Sequence, residues 1–269
     1  IQSIINQTEK HDIQYIVVDG GSDDNSRNVI DKYRSSIDKL IIEPDNGVYD
    51  AMNKGLTLCE SKWTIFMNSG DTFAEKDVIS AMKKKCSGNP HCIAIYGDTL
   101  LQDSRLWPTK PLEELWKGMV CSHQSIAVDT HHLQSTKFDT HLKIAADYKT
   151  ILSAFLTGRP FLKVEGKPIS RIEPVGISSA FHQRTMERWL INKQLAKSAD
   201  SRATINRFYS HLLSNGEGQQ SFSATNIHPD SSYVEKNIIF LISMPRSGST
   251  LLQRIIESSQ YIVSTGEPW

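Results

Sequence analysis

Three acidic positions fall just past apolar runs. Asp19 closes Tyr15-Ile16-Val17-Val18, Asp45 and Asn46 follow the run that starts at Lys39, and Asn68-Ser69-Gly70-Asp71 follows Trp63-Thr64-Ile65-Phe66-Met67. A carboxylate at the end of a buried strand can accept hydrogen bonds from a ribose or a base, or hold a divalent cation that neutralises a diphosphate. Asp71 is best placed for the cation. Gly70 removes a side chain beside it, so a diphosphate can approach closely, and Asn68 adds neutral polar contacts. One such acid alone is usually a turn or N-cap residue, whereas three on successive strand ends read as a site. A second phosphate cradle lies far along the chain, at Met244-Pro245-Arg246-Ser247-Gly248-Ser249-Thr250. Arg246, Ser247, Ser249 and Thr250 bring donors, Gly248 lets the loop wrap, and the start of a helix adds N–H groups. The loop lacks the Gly-Lys-Ser/Thr ending of nucleoside-triphosphate loops, which argues against an NTPase.

The elements that position these residues alternate. Strands are expected at Tyr15 to Asp19, Lys39 to Glu43, Trp63 to Met67, Ile93 to Tyr96, Ser125 to Val128 and Phe161 to Val164. Helices are expected from Ile1 to Gln7, from a cap at Asp24 or Ser26 to Tyr33, over Val48 to Leu58 and over Ala145 to Leu156. This order predicts an α/β fold with a mostly parallel sheet, whose ligands gather at the carboxyl ends of the strands. Beyond Ala180, Met186, Trp189, Leu190, Ile205, Phe208, Tyr209, Leu212 and Leu213 recur at helical spacing and predict two amphipathic helices. Ser214 to Ser232 reads as a flexible linker, and Asn237 to Ile242 as a buried strand.

The chain has 269 residues, with 30 Lys+Arg against 30 Asp+Glu and a formal net charge of +0. No overall field would recruit nucleic acid, so phosphate recognition must be local. At 39% apolar and 22% charged the composition is globular. No apolar run approaches the roughly 20 residues of a membrane-spanning helix. Cys59, Cys86, Cys92 and Cys121 show no metal or redox spacing and read as free thiols in a reducing compartment. His131, His132 and His141 lack zinc-ligand spacing.

The segments Tyr15 to Asp24, Glu43-Pro44-Asp45-Asn46-Gly47-Val48-Tyr49-Asp50-Ala51-Met52-Asn53-Lys54-Gly55 and Asn68-Ser69-Gly70-Asp71 together resemble family-2 glycosyltransferases, in order and over about the first 180 residues. The resemblance implies the GT-A fold, Rossmann-like with a mostly parallel sheet flanked by helices. It also implies a nucleotide-diphospho-sugar donor, most simply a uridine one, Mg²⁺ or Mn²⁺, inversion at the sugar carbon, and a glycan or lipid-linked acceptor. Carried onto this sequence, Asp19 contacts the uridine, Asp45 lines the nucleotide pocket, and Asp71 is the last acid of the Asp-x-Asp metal motif. The first acid of that motif is Ser69 here, so metal rests on Asp71 and the donor's phosphates. Ser22, Asn46, Lys54, Asn68, Ser69 and Gly70 complete the expected donor site, with Lys143 a further source of positive charge. Ala145-Ala146-Asp147-Tyr148 resembles the segment that holds the base on the acceptor hydroxyl, which makes Asp147 that base. His123-Gln124-Ser125 resembles another family segment, with His123 facing the diphosphate or the acceptor. Family members open with a strand that this chain begins after, so a damaged donor site and an exposed apolar groove in the sheet are expected.

The stretch from Arg246 to Thr250, and Gly266-Glu267-Pro268-Trp269 after it, resemble sulfotransferases that use 3′-phosphoadenosine 5′-phosphosulfate (PAPS). That resemblance implies phosphosulfate binding by Arg246, Ser247, Gly248, Ser249 and Thr250, and makes Glu267 a candidate base. The expected division is a glycosyltransferase domain over 1–182, a helical segment and linker over 183–232, and the first strand, loop and helix of a P-loop-like sulfotransferase domain over 233–269. The expected setting is the cytoplasm, free or peripherally at the inner face of the membrane. The competing reading makes sulfate transfer the main activity and the first domain a non-catalytic nucleotide-sugar-binding module.

Overall fold

The protein is described by a computed structural model over residues 1–172 and 181–216, together with the backbone of 238–244. In chain order the elements are α1 (Gln2–Ile5), β1 (Gln14–Asp19), α2 (Ser26–Lys32), β2 (Lys39–Ile42), α3 (Val48–Leu56), β3 (Trp63–Asn68), β4 (Thr72–Phe73), α4 (Val78–Cys86), β5 (Ala94–Gly97), β6 (Thr99–Leu101) and β7 (Leu106–Trp107). They continue with β8 (Ile126–Asp129), α5 (Thr130–Thr136), α6 (Ala146–Phe155), β9 (Phe161–Val164), β10 (Ser170–Ile172), α7 (Phe181–Leu195), α8 (Ala199–Gly216) and β11 (Ile238–Met244).

The main sheet runs β2-β1-β11-β3-β8-β5-β9, and a second sheet runs β4-β10-β6-β7. Every residue of β1 and β3 is buried, which explains their unbroken apolar runs: both faces of the sheet are covered. Alternate side chains feed two cores. Ile16, Val18 and Phe66 face α3 and α6 through Val48, Met52, Leu56, Tyr148 and Ile151. Tyr15, Val17, Ile65 and Met67 face α4 through Val78, Ile79 and Met82. The result is three layers, helix on sheet on helix.

The mostly parallel sheet needs a correction. β1, β2, β3, β5 and β9 share one direction, but β8 and β11 run against it, so β1–β2 and β5–β9 are the parallel ladders and the rest are antiparallel. The expected open groove is also corrected, because the slot between β1 and β3 is filled. β11 pairs along both, from Asp19↔Ile238 to Gln14↔Ser243 and from Ile239↔Asn68 to Met244↔Trp63. Strands left unpaired at the centre of a sheet expose N–H and C=O groups, and β11 satisfies both rows. The run read from sequence as the opening of a second domain therefore lies in the first domain's sheet.

The helices after residue 180 pack on the first domain. Tyr209 Oη donates to the Trp116 carbonyl at 2.8 Å and Tyr148 Oη to the same oxygen at 3.1 Å. Asn192 Nδ2 donates to Tyr148 Oη at 2.7 Å and to Tyr209 Oη at 3.2 Å. These three side chains are buried, and Trp116 meets Phe208 edge to face with ring centroids 5.0 Å apart. Arg246, Ser247, Gly248, Ser249, Thr250 and Glu267 lie outside the described residues, as does most of the expected linker.

Candidate active site

β1, β2 and β3 share a direction, so their carboxyl ends open on one edge of the sheet, where Asp19, the Asp45 loop and the Asn68 to Asp71 turn follow them. Asp19 ends β1 with no exposed surface. Its Oδ1 accepts from the backbone N–H groups of Gly21 (3.0 Å) and Ser22 (2.7 Å), which shapes the loop. Gly21 turns the chain at φ 88°, a conformation that favours glycine. Asp19 Oδ2 is buried without a hydrogen bond, and the Arg27 Nε beside it stands 3.9 Å away.

The loop between β2 and α3 folds on itself. Asp45 Oδ1 accepts from Gly47 N at 2.9 Å, and Asp50 Oδ2 accepts from Asn46 N at 2.9 Å. Lys54 is held in this loop by Glu43 (3.0 Å), Asp50 (3.5 Å) and the Pro44 carbonyl (2.7 Å). Its charge is engaged in bracing the loop, and the acids beside it raise its pKa against a lowering by burial. Lys143 sits in the segment before α6, where its backbone N–H donates to Glu187.

Past β3 the chain turns at Gly70 (φ 90°), and Asp71 N closes the turn on the Asn68 carbonyl at 3.0 Å. Ser69 is partly exposed on this turn. Asp71 Oδ2 accepts from Gln124 Nε2 at 2.5 Å, and Gln124 Oε1 bonds in turn with the Ser122 hydroxyl. His123, next along, joins two elements. Its Nε2 lies 3.0 Å from Asn68 Oδ1, and its Nδ1 lies 3.4 Å from Asp147 Oδ2. Asp147 stands in the first turn of α6, where its Oδ1 accepts from Tyr148 N at 2.7 Å and from Tyr49 Oη at 3.4 Å. Burial pushes Asp147 toward the neutral acid, but the hydrogen bond and charge of His123, the Tyr148 N–H and the Arg188 charge outweigh it and hold the carboxyl below its ordinary value. Behind His123 and Asp147 lies an apolar cavity of about 20 Å³, lined by Met52, Phe66, Ile126 and Phe138 among others.

A chain of contacts thus runs from Tyr49 through Asp147 and His123 to Asn68, three residues before Asp71. The description "Glycosyl transferase family 2" matches residues 1–132.

Residues 1–132 are a family 2 glycosyltransferase domain.

The glycosyltransferase domain is similar to the PGL/p-HBAD biosynthesis glycosyltransferase of Mycobacterium bovis, at 30% identity over 132 residues, covering 47% of this chain and 51% of that protein. An uncharacterized glycosyltransferase of Mycobacterium tuberculosis is 29% identical over 167 residues, covering 60% of this chain and 64% of its own length. The chain spans about half the length of the first of these relatives. Among solved structures, S. aureus TarS 1-349 in complex with UDP superposes with a TM-score of 0.60 at 19% identity, covering 84% of this chain and 68% of that one. The mannosyltransferase PcManGT from Pyrobaculum calidifontis, in complex with GDP-Man and Mn²⁺, superposes at 0.52 with 14% identity, covering 73% and 59%. These likenesses establish a GT-A-like fold for the glycosyltransferase domain.

Among the described residues no group of three or more His, Cys, Asp or Glu could hold a metal by itself. Asp71 is a single carboxylate, and such a site suits an ion carried largely by the donor's phosphates and water, as Mg²⁺ and Mn²⁺ are commonly bound. Among the described residues no helix is long and apolar enough to cross a membrane. Sequence reasoning passed over Tyr49, Gln124 and Glu187. Tyr49 and Gln124 lie inside the quoted segments, so their neighbours were the available signal, whereas nothing near Glu187 in sequence points to Asp147.

Proposed function

We propose that this chain belongs to an enzyme that transfers a sugar, with inversion, from a nucleotide-diphospho-sugar to a hydroxyl of a glycan or lipid-linked acceptor. The observation that carries it is the Asp147–His123–Asn68 chain, which links the candidate base to the strand end that bears Asp71. Asp147, ionised at neutral pH, takes the acceptor's proton as the new glycosidic bond forms and the bond to the diphosphate breaks. As positive charge grows on the sugar in an oxocarbenium-like transition state, the attacking hydroxyl becomes a stronger acid, so a weakly basic carboxylate suffices. His123 orients Asp147 and places its own ring beside the departing group. Asp71 would hold Mg²⁺ or Mn²⁺ together with the donor phosphates, and that ion would supply positive charge against the leaving diphosphate.

Asp19 would hold the nucleobase, since Oδ2 is a buried acceptor in search of a donor, and a uridine imide N–H is such a group. Asp45, Asn46 and Ser22 shape the loops around the nucleoside. UDP in the TarS complex supports a uridine donor, and the GDP-Man complex of PcManGT is the competing choice. In full-length protein, Asp147→Asn is expected to lower turnover at least 100-fold while the donor dissociation constant stays within about twofold. Turnover near wild type in that variant would sink the assignment.

The run Met244 to Trp269 supports a second proposal, that the parent protein also carries a PAPS-dependent sulfotransferase domain that follows β11, with Arg246 to Thr250 cradling the phosphosulfate and Glu267 as base. Sulfate transfer from PAPS by a chain extended past Trp269, lost on Arg246→Ala, tests it. A cytoplasmic enzyme resting on the inner face of the membrane agrees with lipid-linked acceptors and with Cys59, Cys86, Cys92 and Cys121 forming no disulfide.

A further inference from the structure

α6 begins without a cap of its own. Its N-cap residue is Ala145, which has no polar side chain, and no side-chain cap bond closes the turn. The N–H groups that lead into it are instead collected from another helix. Glu187 of α7 accepts from Lys143 N at 3.0 Å on Oε1, and from Ile144 N and Ala145 N at 2.9 Å each on Oε2. Gln183, one turn earlier on α7, donates its Nε2 to the same Oε1 at 3.2 Å. Glu187 is 9% exposed, and each of its oxygens accepts two N–H groups from these four donors. A carboxylate at the start of a helix is favoured by the helix dipole, and here it comes from Glu187, 42 residues after Ala145 in the chain.

The segment so gripped ends two residues before Asp147. From this clamp we infer that Glu187 is a positioning residue for the proposed sugar transfer, setting the first turn of α6 so that the Asp147 carboxylate meets His123 and the acceptor hydroxyl. The inference rests on Asp147 being the base. Glu187 has no hydrogen bond to Asp19, Asp45, Asn68 or Asp71, so it acts on the chemical step and not on donor capture. A displacement of about 1 Å at a reacting group is enough to cost on the order of 100-fold in rate.

The test uses full-length protein, UDP-N-acetylglucosamine and GDP-mannose as probe donors with Mn²⁺, and water as the acceptor, read as nucleoside diphosphate release. Glu187→Gln keeps the side chain's shape but turns an amide N–H₂ toward backbone donors; Glu187→Ala removes it. In both, kcat should fall 10-fold to 100-fold with the donor KM within about twofold. The acid limb of the kcat profile should also move to higher pH, because an Asp147 drawn away from His123 is left with its burial. Hydrogen exchange should quicken over 141–149 and stay unchanged over β1 and β3. A wild-type kcat and pH profile in Glu187→Gln, with Asp147→Asn inactive, would overturn the role of Glu187 alone. An active Asp147→Asn would overturn both readings. Exchange that quickens throughout the domain, with kcat per folded molecule unchanged, would reduce Glu187 to a structural residue and overturn the inference.

Discussion

Asp19 Oδ2 is a buried carboxylate oxygen that the folded protein leaves without a hydrogen bond. Such an atom costs about 1–3 kcal/mol, a penalty that a ligand N–H can relieve on binding. Replacing Asp19 by Ala should therefore weaken nucleoside diphosphate binding by roughly 10-fold to 100-fold, measured by calorimetry; equal affinities would separate Asp19 from the nucleobase. Asp147 makes a second prediction, in pH. Its folded pKa is depressed, so the stability it contributes is present above its unfolded value and is lost only as pH falls through the lower folded one. Wild-type turnover should accordingly show no loss from Asp147 between pH 7 and pH 5. His123→Ala removes the leading influence that opposes burial, and the acid limb of its pH–rate profile should shift upward. Asp19, Asp45 and Asp71 were legible because each follows an apolar run in sequence, whereas Asp147 was legible only through the resemblance of Ala145-Ala146-Asp147-Tyr148 to a family segment. Gln124, Tyr49 and Glu187 were not, because each earns its place through a partner at least 40 residues away, a relation that no local spacing records.

Strands β1, β3, β5 and β8 were legible in the sequence to within a residue or two, since burial on both faces makes each a short apolar block, and the partly buried β9 was legible through Phe161, Leu162 and Val164. The small second sheet was not. β4 and β7 have two residues each, too few to show any alternation, and β10 and β6 exist because the Asp71 turn and the end of β5 bring them together. α4 was also passed over: Val78, Ile79, Met82 and Cys86 form its buried stripe, but Lys83-Lys84-Lys85 interrupts it. The direction of β8 could not be read either, because a strand's residue pattern is the same whichever way it runs. The junction between the two sheets supplies a prediction. A Cβ added to Gly97, the last residue of β5, would stand 2.8 Å from Ile169 Cγ1 and 3.4 Å from the Val164 carbonyl. Ile169 is fully buried and cannot step aside, so Gly97→Ala should destabilise the fold by about 1–3 kcal/mol, seen as a lower midpoint in denaturant unfolding. An unchanged midpoint would show that the junction yields.

At the scale of the whole molecule, periodicity disclosed α7 and α8 but not their docking. Their hold on the first domain is polar as well as apolar, through Asn192, Tyr148 and Tyr209 around the Trp116 carbonyl. Asn192→Leu should remove donors from two buried hydroxyls and cost about 1–3 kcal/mol, with α7 and α8 losing hydrogen-exchange protection ahead of the sheet. Simultaneous loss across the whole chain would instead show one cooperative unit. The central place of β11 bears on how the chain is made. β1 and β3 are made before the strand that separates them, which is encoded after α8, so their facing edges stay open until β11 has been made. Pairings this distant in sequence form slowly, and open apolar edges are where nascent chains stick to one another. Yield of this protein in a cell should therefore depend on chaperones that shield those edges until residue 244 has left the ribosome.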